Sequence, residues 1–141
     1  MLLMNATEVR KNWSSVVDFV VRERPAFIKR TRDTMMFSDL TLVENLLLAY
    51  QFTAETNKEE DGSVTLALCE IDLIENGADE PGAKRKLAAA LLEYAEDYYN
   101  EFNLWSNAPN RKAHVPYVIK CLILNDIDKI GALIKCRPGE S

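Results

Sequence analysis

The stretch that most constrains this chain is NATEVRKNWSSVVDFVVRER, residues 5–24, joined to the short apolar runs just after it. Val9, Trp13, Val16, Val17, Val20 and Val21 recur at the spacing of one helix face, while Arg10, Lys11, Asp18 and Arg22 fall elsewhere. Asn5 is placed to cap the helix, and Glu8, three residues on, to reach back to it. Pro25 stops the helix, because the residue before a proline avoids the helical region. PAFIKRTRDTMMF then sets two short apolar runs around the polar group Lys29 to Asp33, the pattern of a β-hairpin. Leu2 to Met4 supply a short strand ahead of the helix. A strand, a helix and a hairpin in that order imply an α+β unit.

The rest of the chain continues the alternation. Ser38 or Asp39 caps a further helix, LTLVENLLLAY, with Leu42, Val43, Leu46 and Leu47 on its apolar face. YQFTAET and SVTLALCEI read as two strands joined by NKEEDGS, whose Asp61-Gly62 is a turn signal. EIDLIENGADEPG reads as a loop with a brief extended piece at Ile71 to Ile74. AKRKLAAALLEYAEDYYNEFNLW is a long helix, with Leu87, Ala90, Leu91, Tyr94, Ala95, Tyr98, Phe102 and Trp105 as its stripe. SNAPNRKAHVPY is a loop. VIKCLILNDIDKIGALIKC reads as two helical pieces broken near Asn125, with strand as the competing reading for VIKCLIL, and RPGES as a frayed tail.

Composition narrows the function. A chain of 141 residues that is 48% hydrophobic can form a core, as one domain or two small ones. No apolar run approaches the ~18 residues of a membrane helix. The start, MLLMNATEVRKN, lacks the basic region and long apolar run of a secretory signal, so a cytoplasmic protein is expected. Cys69, Cys121 and Cys136 are odd in number and widely spaced, which favours reduced thiols. Residues 1–50 carry seven Lys and Arg, all between positions 10 and 32, against six Asp and Glu, a balance of +1. The other 91 carry ten against sixteen, a balance of −6. The acidic total disfavours general nucleic-acid binding, but a local basic patch can still contact phosphates.

ATEVRKNWSSVVDFV succeeded by PAFIKRTRD resembles the Phd/YefM family of antitoxins, the DNA-binding halves of bacterial toxin–antitoxin pairs. The chain departs from that family in its hairpin turn, which has Thr31-Arg32-Asp33 where a Gly or Asn is usual. Residues 50–105 resemble the HicB-type antitoxin fold, a degenerate RNase H-like unit. EEDGSVTLALCEIDLIENG, YAEDYYNEF and APNRKAHVPYVIK make the whole chain similar to a Phd-like family that joins the two. The resemblance implies a DNA-binding, dimerising unit at residues 1–49 and a HicB-like unit at 50–141 that binds a toxin or supports oligomerisation. It implies a helix at 40–50 packed on the hairpin sheet. It also implies an antitoxin that neutralises an RNase-type toxin, RelE-like for example, and represses its own operon. The implied partners are a cognate toxin, operator DNA and a second copy of the chain, with no cofactor and no membrane.

Candidate functional residues occur in both parts of the chain. Arg10, Lys11 and Asn12 lie on the first helix, and Lys29, Arg30 and Arg32 in the hairpin. The resemblance implies that such arginines contact operator DNA, where Arg reads guanine and Asn reads adenine. The bland alternative is a solvated basic face. Glu93, Glu96, Asp97 and Glu101 share one side of the long helix. That spacing suits a metal or acid–base pair in principle, but no His stands at ligand spacing, so a solvated face or one that meets a basic toxin is the better reading. His114 is the only histidine, and the cysteines lack CxxC spacing, so neither catalysis nor zinc is expected. Asp61 and Asp72 are weak candidates for a nuclease metal site. Trp13 and the run Met35-Met36-Phe37 are expected in the core. The rival functions are an orphan transcriptional regulator without a toxin and a small enzyme using the acidic helix.

Overall fold

The computed structural model describes residues 3–139. The chain divides into two compact units, one ending at Leu46 and one beginning at Leu47.

The first unit runs in the order β1 (Leu3–Asn5), α1 (Ala6–Lys11), α2 (Trp13–Arg22), β2 (Ala26–Arg30), β3 (Asp33–Phe37) and α3 (Leu40–Leu46). Leu2, expected to begin β1, lies outside the described residues. The sheet runs β1-β2-β3, with β1 parallel to β2 and β3 antiparallel to it. Asn5 caps α1 as expected: its Oδ1 accepts from the Thr7 N–H at 2.8 Å. The single helix expected over residues 5–24 is in fact broken at Asn12, which sits at φ −115° and ψ 36°. Its side-chain Nδ2 donates to the Glu8 carbonyl at 3.1 Å, beside the ordinary helical bond of its backbone N–H at 3.0 Å, and this added side-chain bond competes with regular helix geometry.

Val9, Val16, Val20, Ala26 and Ile28 form the core of this unit. Three residues expected there are not in it. Trp13 is 54% exposed and stacks on Phe37 at 5.2 Å, and Met35 and Met36 are 45% and 46% exposed. The helices make their main contacts on β1 and β2 and reach the edge strand β3 chiefly through the Trp13–Phe37 stack. Register does the rest: Met36 pairs with Phe27, itself beside Leu3, on the face opposite buried Ala26 and Ile28. α3 also differs from expectation. It ends at Leu46 rather than running to Tyr50, and no residue of it is buried, Leu46 remaining 62% exposed.

The hairpin turn carries strain. Thr31 has φ 55°, a left-handed conformation that crowds a β-branched side chain and that glycine adopts freely. Thr31→Gly is therefore expected to stabilise the unit by about 0.5–1 kcal/mol, the relief exceeding the entropy that glycine gains in the unfolded chain. A thermal midpoint that falls in this variant would contradict the reading.

The second unit has β4 (Phe52–Lys58), β5 (Val64–Leu68), β6 (Ile74–Gly77), α4 (Glu80–Asn100), α5 (Phe102–Ser106), a 3-10 turn at Lys112–His114, α6 (Val115–Leu124), α7 (Ile127–Leu133) and β7 (Ile134–Pro138). The sheet order is β6-β5-β4-β7. The β4–β5 hairpin turns at Gly62, φ 87°, and Asp61 Oδ1 accepts from the Ser63 N–H at 2.9 Å. Those Ser63 hydrogen bonds hold the Asp61 carboxyl below its usual pKa. Phe52, Ala54, Val64, Leu66 and Leu68 alternate inward, onto Leu87, Leu91, Ala95 and Tyr98 of α4. Of the expected helix stripe, Tyr94, Phe102 and Trp105 are half-buried around that core.

Several segments differ from expectation, among them the long helix, which breaks at Glu101 instead of running on to Trp105, and the expected loop SNAPNRKAHVPY, which holds a 3-10 turn and the start of α6 at Val115. The extended piece in the loop begins at Ile74 and is a full strand, β6, rather than a piece at Ile71 to Ile74. α4 starts at Glu80, because Asp79 caps it by accepting from the Gly82 N–H at 2.8 Å. Residues 134–138, read as the end of a helix and the start of a frayed tail, form β7 parallel to β4, and Gly139 N–H donates to the Thr56 carbonyl at 2.8 Å; Glu140 and Ser141 of the expected tail lie outside the described residues. The expected break at Asn125 is present: Asn125 is left-handed, φ 44°, and Asp126 caps α7 through Lys129 N–H at 2.9 Å. No helix among the described residues is long and apolar enough to cross a membrane.

Candidate nucleic-acid and partner surfaces

All six cation and amide candidates of the first unit are exposed. Arg10 and Lys11 end α1, and Asn12 stands at the break after it. Lys29 and Arg30 close β2, and Arg32 is in the hairpin turn. Arg30 Nη2 meets Asp33 Oδ2 at 3.3 Å, with both side chains mostly in solvent. Such a pair contributes about 0–1 kcal/mol, so it does not tie the guanidinium down. Among the described residues, no ion pair engages Arg10, Lys11, Lys29 or Arg32.

In the second unit, Glu93, Glu96, Asp97 and Glu101 are exposed on the side of α4 away from Leu87, Leu91, Ala95 and Tyr98. Tyr99, 63% exposed, stands among them in sequence, and Leu104, 66% exposed, follows them in α5. Sequence reading did not single out these two residues. The signal was the helical phase, which takes Tyr99 off the stripe that holds Tyr98. No group of three or more His, Cys, Asp or Glu that could hold a metal occurs among the described residues. The acidic helix presents a charged, solvent-facing surface.

The remaining candidates are structural. His114 Nδ1 lies 2.6 Å from the Tyr94 hydroxyl, half-buried, and burial, with the Arg111 charge, pushes its pKa below the usual value. Tyr98, fully buried, donates its hydroxyl to the Arg111 carbonyl at 2.8 Å, while the Arg111 guanidinium lies 4.0 Å from the Trp105 ring centroid. Cys69, Cys121 and Cys136 are free thiols. Cys121 sits in the core, where burial pushes its pKa up to about 12 and leaves it inert. Asp61 is engaged in its own turn and Asp72 is exposed.

The sequence pattern of the PHD-like family, described as "Antitoxin of toxin-antitoxin, RelE / RelB, TA system", matches residues 1–136. No curated protein matches the chain. The fold is similar to the crystal structure of "an antitoxin part of a putative toxin/antitoxin system" from Syntrophomonas wolfei subsp. wolfei. The two chains are 40% identical and superpose with a TM-score of 0.92, over 99% of this chain and 100% of that one. With the family pattern running through both units and a solved antitoxin matching over nearly the whole length, the chain belongs to the PHD-like family of toxin–antitoxin antitoxins.

Proposed function

We propose that this antitoxin neutralises a cognate RNase-type toxin, RelE-like for example, and represses its own operon as a cytoplasmic homodimer that acts by binding and not by catalysis. The observation that carries the reading is the segregation of charge. In the unit ending at Leu46 the exposed cations Arg10, Lys11, Lys29, Arg30 and Arg32 stand on α1 and the β2–β3 hairpin, and in the other unit exposed carboxylates line the free side of α4. The first unit, with Arg10, Lys11, Asn12, Lys29, Arg30 and Arg32, faces DNA phosphates and base edges. Glu93, Glu96, Asp97 and Glu101 face the toxin. A protein that cleaves RNA must hold phosphates and so presents cations; an acidic surface steers association with it and competes for its RNA-binding face.

The homodimer rests on what the first unit leaves uncovered. Trp13, Val21, Met35, Met36, Leu40 and Leu46 are each 45% exposed or more, in a unit with five buried apolar residues among those described. Apolar surface of this extent on so small a unit favours a second copy, which would also pair or cover the edge of β3.

The test uses the full chain and the product of the neighbouring gene. The wild-type protein should retain that product on an affinity column. The variant Glu93→Gln, Glu96→Gln, Asp97→Asn, Glu101→Gln should lose it by about tenfold or more in affinity, as expected when several charge pairs of one interface are removed. Equal retention by both would sink the toxin-binding surface. A neighbourhood without a small basic partner, together with intact operator binding, would make the protein an orphan regulator. Sedimentation showing a monomer at micromolar concentration would remove the dimer.

A further inference from the structure

The join between the units is a short strap, residues 47–51, that comes after α3 and leads into β4 at Phe52. Carbonyls at a helix end have no donor within the helix and need one from elsewhere. Here the donor comes from the middle of α6, far along the chain. Lys120 Nζ donates to the Tyr50 carbonyl at 2.7 Å and to the Leu47 carbonyl at 3.4 Å. The Leu47 carbonyl also accepts from the Tyr50 N–H at 3.0 Å, which closes the strap into a turn. The same ammonium lies 5.7 Å from the Phe52 ring centroid, within cation–π reach. Tyr117, on the same helix, meets Tyr50 edge-on at 5.6 Å and Phe52 at 5.9 Å between ring centroids.

Apolar burial does not hold the strap. Leu48 is 65% exposed and Tyr50 39%. Lys120 is half-buried, and burial works against its charge. A lysine kept partly out of water must be engaged where it lies, and its engagement is with these two carbonyls and the Phe52 ring. The arrangement belongs to neither proposed binding surface and stands whatever ligand each unit takes.

We propose that Lys120, with Tyr117, is a clamp that holds the strap of residues 47–51 against α6, and that opening it turns the join between the units from a pinned tether into a free one. With the clamp closed, the freedom of the first unit begins at Leu46. With it open, the whole strap joins the tether and lengthens it.

The test compares full-length wild type with Lys120→Met, which keeps the apolar stem and removes the ammonium. Limited chymotrypsin digestion coupled to mass spectrometry reads cleavage after Leu48 and Tyr50, and hydrogen exchange reads the Tyr50 amide. Both should rise by about tenfold in Lys120→Met, the scale set by losing a hydrogen bond to a charged donor. Cleavage elsewhere and the thermal midpoint should stay as in wild type. Lys120→Arg, which can donate to both carbonyls, should restore protection. Tyr117→Leu should lower protection at the same amide without touching the hydrogen bonds. Unchanged cleavage at the strap in Lys120→Met overturns the clamp. So does a rise that is uniform along the chain, because Lys120 would then support the whole fold and not the strap.

Discussion

Gly77→Ala is expected to lower the stability of the second unit by about 3 kcal/mol or more, with a thermal midpoint more than about 10 °C below wild type. A Cβ built on Gly77 would stand 2.3 Å from the Ala83 nitrogen and 2.7 Å from both the Ala83 Cα and the Gly82 carbonyl carbon. These are backbone atoms in the first turn of α4, held by the Asp79 cap and by the Ala83 N–H bond to the Asp79 carbonyl at 3.0 Å. Nothing there can swing away as a flexible side chain would, so β6 and α4 must separate. Separation loosens Ala83 and Leu87, which are fully buried. Overpacking ordinarily costs about 1–3 kcal/mol, and a backbone obstacle puts this site at the upper end or beyond. Gly62→Ala is the control. Gly62 has φ 87° but open space around its Cβ, so only backbone strain of about 1–2 kcal/mol is expected. Equal midpoints for the two variants would show that the start of α4 gives way easily.

The second large effect is on operator affinity. The proposed DNA surface predicts that Arg10→Ala combined with Arg30→Ala weakens binding by about 100-fold or more near physiological salt, because a dimer loses both contacts twice. Stability should hardly change. Arg10 is exposed, and Arg30 has only the solvent-screened Asp33 partner. Wild-type binding should weaken steeply with added salt through counterion release, and the variant should show a shallower slope. A variant that binds operator fragments with wild-type affinity would move the nucleic-acid surface away from α1 and the hairpin.

What could be read from the sequence was local. Asn5 capping α1, the β2–β3 hairpin, the Asp61-Gly62 turn and the left-handed stop at Asn125 each depend on a few neighbouring residues. What escaped depended on distant partners. LIKC is too short for its apolar pattern to separate strand from helix, and its pairing with β4 decides the matter. β6 was hidden in a run of turn formers because Gly77 suits a loop as well as a strand pressed against α4. Asn12 breaks a helix that the valine period runs straight through, by bonding its side chain to the Glu8 carbonyl. Trp13, Met35 and Met36 show a different limit. Periodicity identifies an apolar face but not whether the same chain covers it, and these side chains remain exposed on the unit. The charged candidates were placed correctly on surfaces, since exposure comes from helical and strand phase; the roles given to those surfaces rest on the proposed function.

The position of β7 carries a consequence for how the protein is made. Phe52 pairs with Ile134, so the strand beside β4 is supplied by residues synthesised long after it. The first unit, closed by Leu46 from neighbouring segments, can fold while the ribosome is still at work on α4. The second must wait with the edge of β4 open until Ile134–Pro138 emerges. A nascent chain halted within α6 would thus present a folded first unit joined to an unclosed sheet, a form prone to pair with other strands. Translation order sets a window in which the first unit exists before the second is complete.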